Sequence, residues 1–219
     1  LADAYAALRL LDADPAVDGR RVALRGFSYG GMASVFAAYT EAAERLAPDG
    51  PRFAGHVAFY APCIARFEDP RTTGAPVLMV MGARDQIIDL ARCREIERDL
   101  KRGGSPVRMV VYPDAFHQWD GGFGSWRAPR GLADCRLEVE RSGVIRDRRT
   151  LIPMSGPLTR KVILGLCSDR EGYLIARDDE IRVRSNRVLG RFLADVLAPG
   201  TVSGATVRGG RSDPTPASP

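Results

Sequence analysis

The spacing of apolar side chains changes register several times along the chain, and each register predicts a different element. Between Leu1 and Leu11 the apolar positions Tyr5, Leu8 and Leu11 recur at helical intervals with alanines between them, so an amphipathic helix is expected that ends before Asp14-Pro15. After a turn over Ala16-Val17-Asp18-Gly19, Arg21 to Arg25 alternates basic and apolar residues, the two-residue period of a short strand running into Gly26. Gly30 to about Leu46 carries helix formers with Met32, Val35, Phe36 and Tyr39 on the side to be buried, and Pro48 and Gly50 stop it. His56 to Ala61 and Pro76 to Met81 are short continuous apolar runs, which read as strands buried on both faces and therefore parallel. Helical spacing returns at Leu90, Cys93, Ile96 and Leu100 within Asp89 to Arg102, closed by Gly103-Gly104, and Val107 to Tyr112 is a further strand.

Alternating strands and helices predict an α/β architecture, a mainly parallel sheet flanked by helices. Asp120 to Arg177 breaks that rhythm with Gly121-Gly122, Gly124, Pro129, Pro153 and Pro157, and is expected to be an irregular excursion off the main fold. Asn186 to Leu197 resumes an amphipathic helix through Val188, Leu189, Phe192, Leu193 and Val196, stopped by Pro199-Gly200. One domain is expected over residues 1–197, with the excursion at about 120–180 and a Gly, Ser, Thr and Pro-rich disordered tail over 198–219.

Composition narrows the function classes. A chain of 219 residues at 45% apolar and 27% charged suits one domain with a sizeable core. No run approaches the ~18–20 apolar residues of a bilayer-spanning helix, so no membrane span is expected. The first residues lack both an initiator Met and the basic-then-apolar start of a signal peptide. A removed upstream signal stays open, and with it a cytoplasmic or a periplasmic or secreted location. The net charge of +5 comes almost wholly from arginine, lysine occurring only at 101 and 161, and the excess falls within residues 127–191. With no stacking platform or recognisable module, nucleic acid is not an expected partner. Cys63, Cys93, Cys135 and Cys167 show no C-x-x-C spacing and only His56 and His117 accompany them, so neither a metal nor another cofactor is expected. Free thiols are the expected state, although Cys135 and Cys167 flank a turn-rich segment that could use a covalent tie.

Gly26-Phe27-Ser28-Tyr29-Gly30 fits G-x-S-x-G and lies between an expected strand and an expected helix, where a nucleophile turn has to lie. The glycines are expected because a serine in so tight a turn leaves no room for side chains two positions away. An incidental Gly-rich turn would show the same five residues, so the partners decide. A serine hydroxyl needs a positioned base, normally a histidine oriented by a carboxylate. Asp85 follows the run Pro76 to Met81 through Gly82-Ala83-Arg84, and His117 follows Val107 to Tyr112 through Pro113-Asp114-Ala115-Phe116. Both therefore leave the same edge of the sheet as Ser28, in the order Ser, Asp, His. A lone aspartate is more often a solvated carboxylate, but its place after a strand favours Asp85 over the loop residues Asp114 and Asp120. Asp89 reads as the N-cap of the following helix, and His56, opening a strand, as structural.

Gly26-Phe27-Ser28-Tyr29-Gly30-Gly31, Gly82-Ala83-Arg84-Asp85 and Tyr112-Pro113-Asp114-Ala115-Phe116-His117 together resemble the dienelactone hydrolase family of the α/β-hydrolase fold, over about residues 1–120 and again near 186–197. The resemblance implies a triad in which Ser28 attacks, His117 carries the proton and Asp85 orients His117. It implies a hydrolase of carboxylic esters or lactones with a small-molecule ester substrate, and homo-oligomerisation is left open. Ser28 departs from the cysteine nucleophile of founding members, which counts against dienelactone itself. Gly-x-Ser-Tyr-Gly-Gly is also similar to the prolyl oligopeptidase family, so a serine peptidase is the alternative, with a non-catalytic hydrolase-like binding module as a third reading.

Only one helix and one strand precede Ser28, where an α/β-hydrolase has several strands and a loop bearing an oxyanion-hole N–H. The backbone N–H of Tyr29 is expected to supply one donor and residues upstream of this sequence the other. The expectation is therefore a partial hydrolase fold and a truncated sequence, a poor enzyme by itself with an unpaired edge beside Val22 to Leu24. The basic excursion at 120–180 is expected to cap the cleft and select substrates; if its arginines face the site, anionic esters should lose more turnover at high ionic strength than neutral ones.

Overall fold

The computed structural model describes residues 1–122 and 124–198. It begins with helix α1 (Ala2–Asp12), followed by strand β1 (Ala23–Phe27) and helices α2 (Tyr29–Phe36) and α3 (Thr40–Leu46). Strands β2 (Gly55–Phe59), β3 (Ala65–Phe67) and β4 (Val77–Gly82) lead to helix α4 (Leu90–Arg102) and strand β5 (Val107–Tyr112). Strands β6 (Ser125–Ala128), β7 (Leu137–Val139) and β8 (Ile145–Asp147), helix α5 (Pro157–Cys167), strand β9 (Tyr173–Ala176) and helix α6 (Asp179–Val196) complete the order.

Four strands form a wholly parallel sheet in the order β1-β2-β4-β5. Every residue of β2 and β4 is buried, as continuous apolar runs flanked by helices require. The pairs Phe27 with Phe59 and Gly82 with Tyr112 put the carboxyl ends of adjacent strands on one rim. Val57, Phe59 and Leu78 to Met81 centre the main core, to which α2, α4 and α6 contribute; Tyr5 and Leu8 of α1 pack with Ala43 and Phe53 in a smaller one. At Gly55 the strand meets α6 so closely that a β-carbon would lie 2.8 Å from Val196.

Several sequence expectations are revised. The helix expected from Gly30 to Leu46 is two, because Tyr39 is extended, its backbone bridges to Thr72, and the Thr40 N–H donates to the Arg71 carbonyl instead of back along a helix. The final helix starts at Asp179, seven residues before the expected Asn186, where the carboxylate of Asp178 accepts from the Ile181 N–H as a cap. The strand expected through Ala61 stops at Phe59 because Tyr60 turns to φ 39°.

The excursion is also more regular than expected. Strand β7 joins β3 in parallel and β8 antiparallel, β6 pairs with β9, and α5 packs Ile163 into the main core. Strands of three or four residues are too short to show a period, which is why the segment reads as irregular. Free thiols are replaced by two disulfides, Cys63 to Cys93 and Cys135 to Cys167, at sequence separations of 30 and 32. Both pairs are brought together by the fold, so spacing along the chain carries no trace of them. No helix among the described residues is long and apolar enough to cross a membrane. The tail expected over 198–219 lies, beyond Ala198, outside the described residues.

Candidate active site

Chain direction changes abruptly after β1. Ser28 takes φ 48° and ψ −118°, a left-handed conformation that costs a non-glycine residue about 1–3 kcal/mol and needs support from its surroundings. That support is a hydrogen bond from the Ser28 N–H to the Phe59 carbonyl at 2.9 Å and one from the Met32 N–H to the Ser28 carbonyl at 3.0 Å. Steric need falls unevenly on the glycines. A β-carbon on Gly26 would overlap the Gly30 carbonyl, and one on Gly31 would lie 2.9 Å from the Phe59 carbonyl, whereas one on Gly30 would meet nothing within 4 Å. The expectation that both motif glycines are required by crowding holds for Gly26 and is corrected for Gly30.

Asp85 and His117 arrive from the neighbouring strands. Ala83 N–H donates to the Tyr112 carbonyl and Arg84 N–H to the Ala115 carbonyl, lacing the loop after β4 to the loop after β5. Gly82 allows this approach, since a β-carbon there would overlap the Ala115 backbone. The buried Asp85 carboxylate accepts from the Ile87 N–H through Oδ1 at 3.1 Å and lies 2.7 Å from His117 Nδ1 through Oδ2. His117 Nε2 is 2.9 Å from Ser28 Oγ. A carboxylate can only accept, so the Nδ1 proton points at Asp85 and leaves the Nε2 lone pair to accept from the Ser28 hydroxyl.

His117 has no exposed surface. Tyr60 and Tyr173 present their rings edge-on to it, at centroid distances of 4.9 and 5.0 Å. Burial raises the Tyr60 hydroxyl above the ordinary tyrosine range, as does its 2.5 Å hydrogen bond to Asp120. The Tyr173 hydroxyl is raised by burial and by the charge of Asp85. The backbone beside His117 is held by β9: the His117 N–H donates to Leu174 and the Ala176 N–H to the His117 carbonyl. The Tyr29 N–H is the first of α2 and has no partner inside its helix.

Thus Ser28, Asp85 and His117 meet on one rim. Asp89 caps α4 through Ala91 and Arg92 N–H groups, Asp120 engages Tyr60, and His56 is enclosed in the core away from this rim. Sequence reasoning missed Tyr60 and Tyr173; the place of Tyr60 near the end of the apolar run His56 to Ala61 was the only signal for the first, and nothing marked the second. Four excursion arginines pair with carboxylates: Arg136 with Asp89, Arg146 with Glu140, Arg148 with Glu138 and Arg177 with Asp179. Arg160 is the one that lines a cavity also lined by Tyr29.

The model of the dienelactone hydrolase family matches residues 1–121, more than half of the chain and the whole stretch that carries the three converging residues. The chain belongs to the dienelactone hydrolase family. This family member shares its fold with MGS-M1, an alpha/beta hydrolase enzyme from a Medee basin deep-sea metagenome library, at 17% identity and a TM-score of 0.50. The match covers 90% of this chain and 62% of that one, so the chain spans less than two thirds of that relative's length. Esterase 2 of Thermogutta terrifontis is also similar, at 18% identity over 54% of this chain and 55% of that one, with a TM-score of 0.44. No curated protein sequence matches this dienelactone hydrolase family member.

Proposed function

We propose that the domain over residues 1–197 is the catalytic part of a serine hydrolase that cleaves carboxylic esters or lactones through an acyl-Ser28 intermediate. The observation that carries the reading is the continuous relay from Ser28 Oγ through both ring nitrogens of His117 to Asp85, at 2.9 and 2.7 Å. Ser28 Oγ adds to the ester carbonyl carbon while its proton passes to His117 Nε2. The resulting imidazolium is stabilised by Asp85, which keeps Nδ1–H in place. Negative charge gathering on the carbonyl oxygen is met by the Tyr29 N–H and the positive end of α2. His117 then returns its proton to the departing alcohol, and the same steps with water release the acid. A buried imidazole held between two tyrosine rings suits this role, because its position is set before substrate arrives.

A fluorophosphonate probe tests the assignment. Covalent labelling located at Ser28 by mass spectrometry, and lost in Ser28→Ala, is the expected result; labelling that persists in Ser28→Ala overturns it. Asp85→Asn is expected to lower kcat by about 10⁴-fold, because the wrong imidazole tautomer is then held. Turnover of short p-nitrophenyl esters in preference to a proline-containing anilide separates the esterase from the peptidase.

A further inference from the structure

A cavity of about 300 Å³ opens beside the nucleophile turn. One wall is a single face of α2, where Tyr29, Met32 and Phe36 follow one another at helical spacing. The facing wall comes from the excursion: Met154, Leu164 of α5, and side chains of β7 and β8. Arg160 supplies the charge, and it is exposed. Apolar concavities with one or two polar groups are where small ligands are held. All of the excursion's contribution lies beyond residue 121, where the family match ends. The Cys135 to Cys167 disulfide joins the segment just before β7 to the last residue of α5 and so fixes the two sides of that wall to each other.

The position of the cavity distinguishes the two halves of an ester. The leaving alcohol has to lie against His117 Nε2, which protonates it, and neither His117 nor its tyrosine neighbours Tyr60 and Tyr173 line the cavity; Ser28 itself does not line it either. Tyr29, the residue joined to Ser28, does line it. That adjacency puts the cavity beside the residue that keeps the acyl group. We propose that this cavity is the acyl site, and that the substrates are esters of apolar acids. At about 30 Å³ for a group the size of water, the space accepts on the order of six to ten non-hydrogen atoms. The proposal rests on the serine hydrolase reading and adds the substrate class to it.

The test uses alkylphosphonofluoridates with methyl, butyl and octyl chains on phosphorus, and the rate at which each modifies the protein. In each case the Ser28 Oγ–P bond forms, the P–F bond breaks, fluoride leaves and the hydroxyl proton goes to His117 Nε2. Burial of a methylene favours the longer reagent by up to about fourfold, so the octyl-to-methyl rate ratio is expected to exceed roughly tenfold. Leu164→Trp and Met154→Trp fill the cavity and are expected to bring that ratio below about threefold, while Leu164→Ala, which removes volume from the wall, keeps or raises it. Modification of Ser28 at rates independent of chain length overturns the acyl-site proposal and leaves the hydrolase reading standing. A ratio unchanged in both tryptophan variants does the same. If no reagent modifies Ser28, the hydrolase reading itself fails and the acyl site fails with it.

Discussion

Tyr60 stands edge-on to the imidazole of His117, 4.9 Å between centroids, from a left-handed backbone position at φ 39° that ends β2. Its hydroxyl is tied to Asp120, three residues beyond the histidine, so one side chain touches the ring and also fixes the loop that carries it. In the serine hydrolase proposed above, Tyr60 is a positioning residue. Tyr60→Ala is expected to lower kcat by roughly ten- to a hundredfold with little change in KM, since displacement of a catalytic group by about 1 Å costs on that order. Tyr60→Phe keeps the ring and should recover most of the loss. Steady-state kinetics of both variants on one ester decide the matter, and equal activity of Tyr60→Ala and wild type refutes the role.

The glycines of the nucleophile turn are expected to behave differently from one another. Gly26→Ala drives a methyl into the Gly30 carbonyl, and the backbone cannot give without moving Ser28, so loss of about 3 kcal/mol or more, or failure to fold, is predicted. Gly30 lies in the first turn of α2 with open space where its β-carbon would be. Gly30→Ala should be neutral or stabilise by up to about 1 kcal/mol, because alanine loses less backbone entropy in a helix. Thermal unfolding of the two variants side by side reads the contrast, and equal destabilisation counts against a turn crowded at Gly26 and open at Gly30.

His56 gives the fold a specific acid sensitivity. Burial pushes its pKa down from 6.5 to about 4, against a smaller raising effect of the Ser34 backbone. Between those values the unfolded chain binds a proton that the folded chain refuses, so unfolding takes up a proton and stability rises with pH. The contribution is complete above about pH 6.5 and is lost as the pH falls toward 4, on the order of 2 kcal/mol between pH 7 and pH 4.5. His56→Leu removes the titrating group from an apolar setting, and its stability should fall less over that interval. Urea unfolding of both proteins at the two pH values measures the difference, and identical losses would refute the assignment.

Reduction should act on the excursion. The Cys135 to Cys167 bridge closes a loop of 32 residues, for which chain entropy predicts a stabilisation of about 3–4 kcal/mol. Replacing both cysteines by serine is expected to lower Tm by several degrees, and to increase proteolysis between β7 and α5 before the four-stranded sheet opens. Proteolysis spread evenly over the chain would contradict this order. Disulfides persist in oxidising compartments, so the same bridge sets the conditions in which the protein should be assayed.

The parallel sheet and the residues on its rim were legible in the sequence for one physical reason. Strands such as Val77 to Gly82 are buried on both faces and announce themselves as unbroken apolar runs, and because the strands are parallel their outgoing loops all leave at a common edge. Ser28, Asp85 and His117 could be placed on that edge because each lies within five residues of a strand end. Tertiary structure alone decided what surrounds them. The break at Tyr39, the pairing of Cys63 with Cys93, the edge-on packing of Tyr60 and Tyr173, and the cavity between α2 and α5 all arise from contacts between segments remote in the chain. Local periodicity reports which face of an element is buried; it holds no information on which distant side chain will be buried against it.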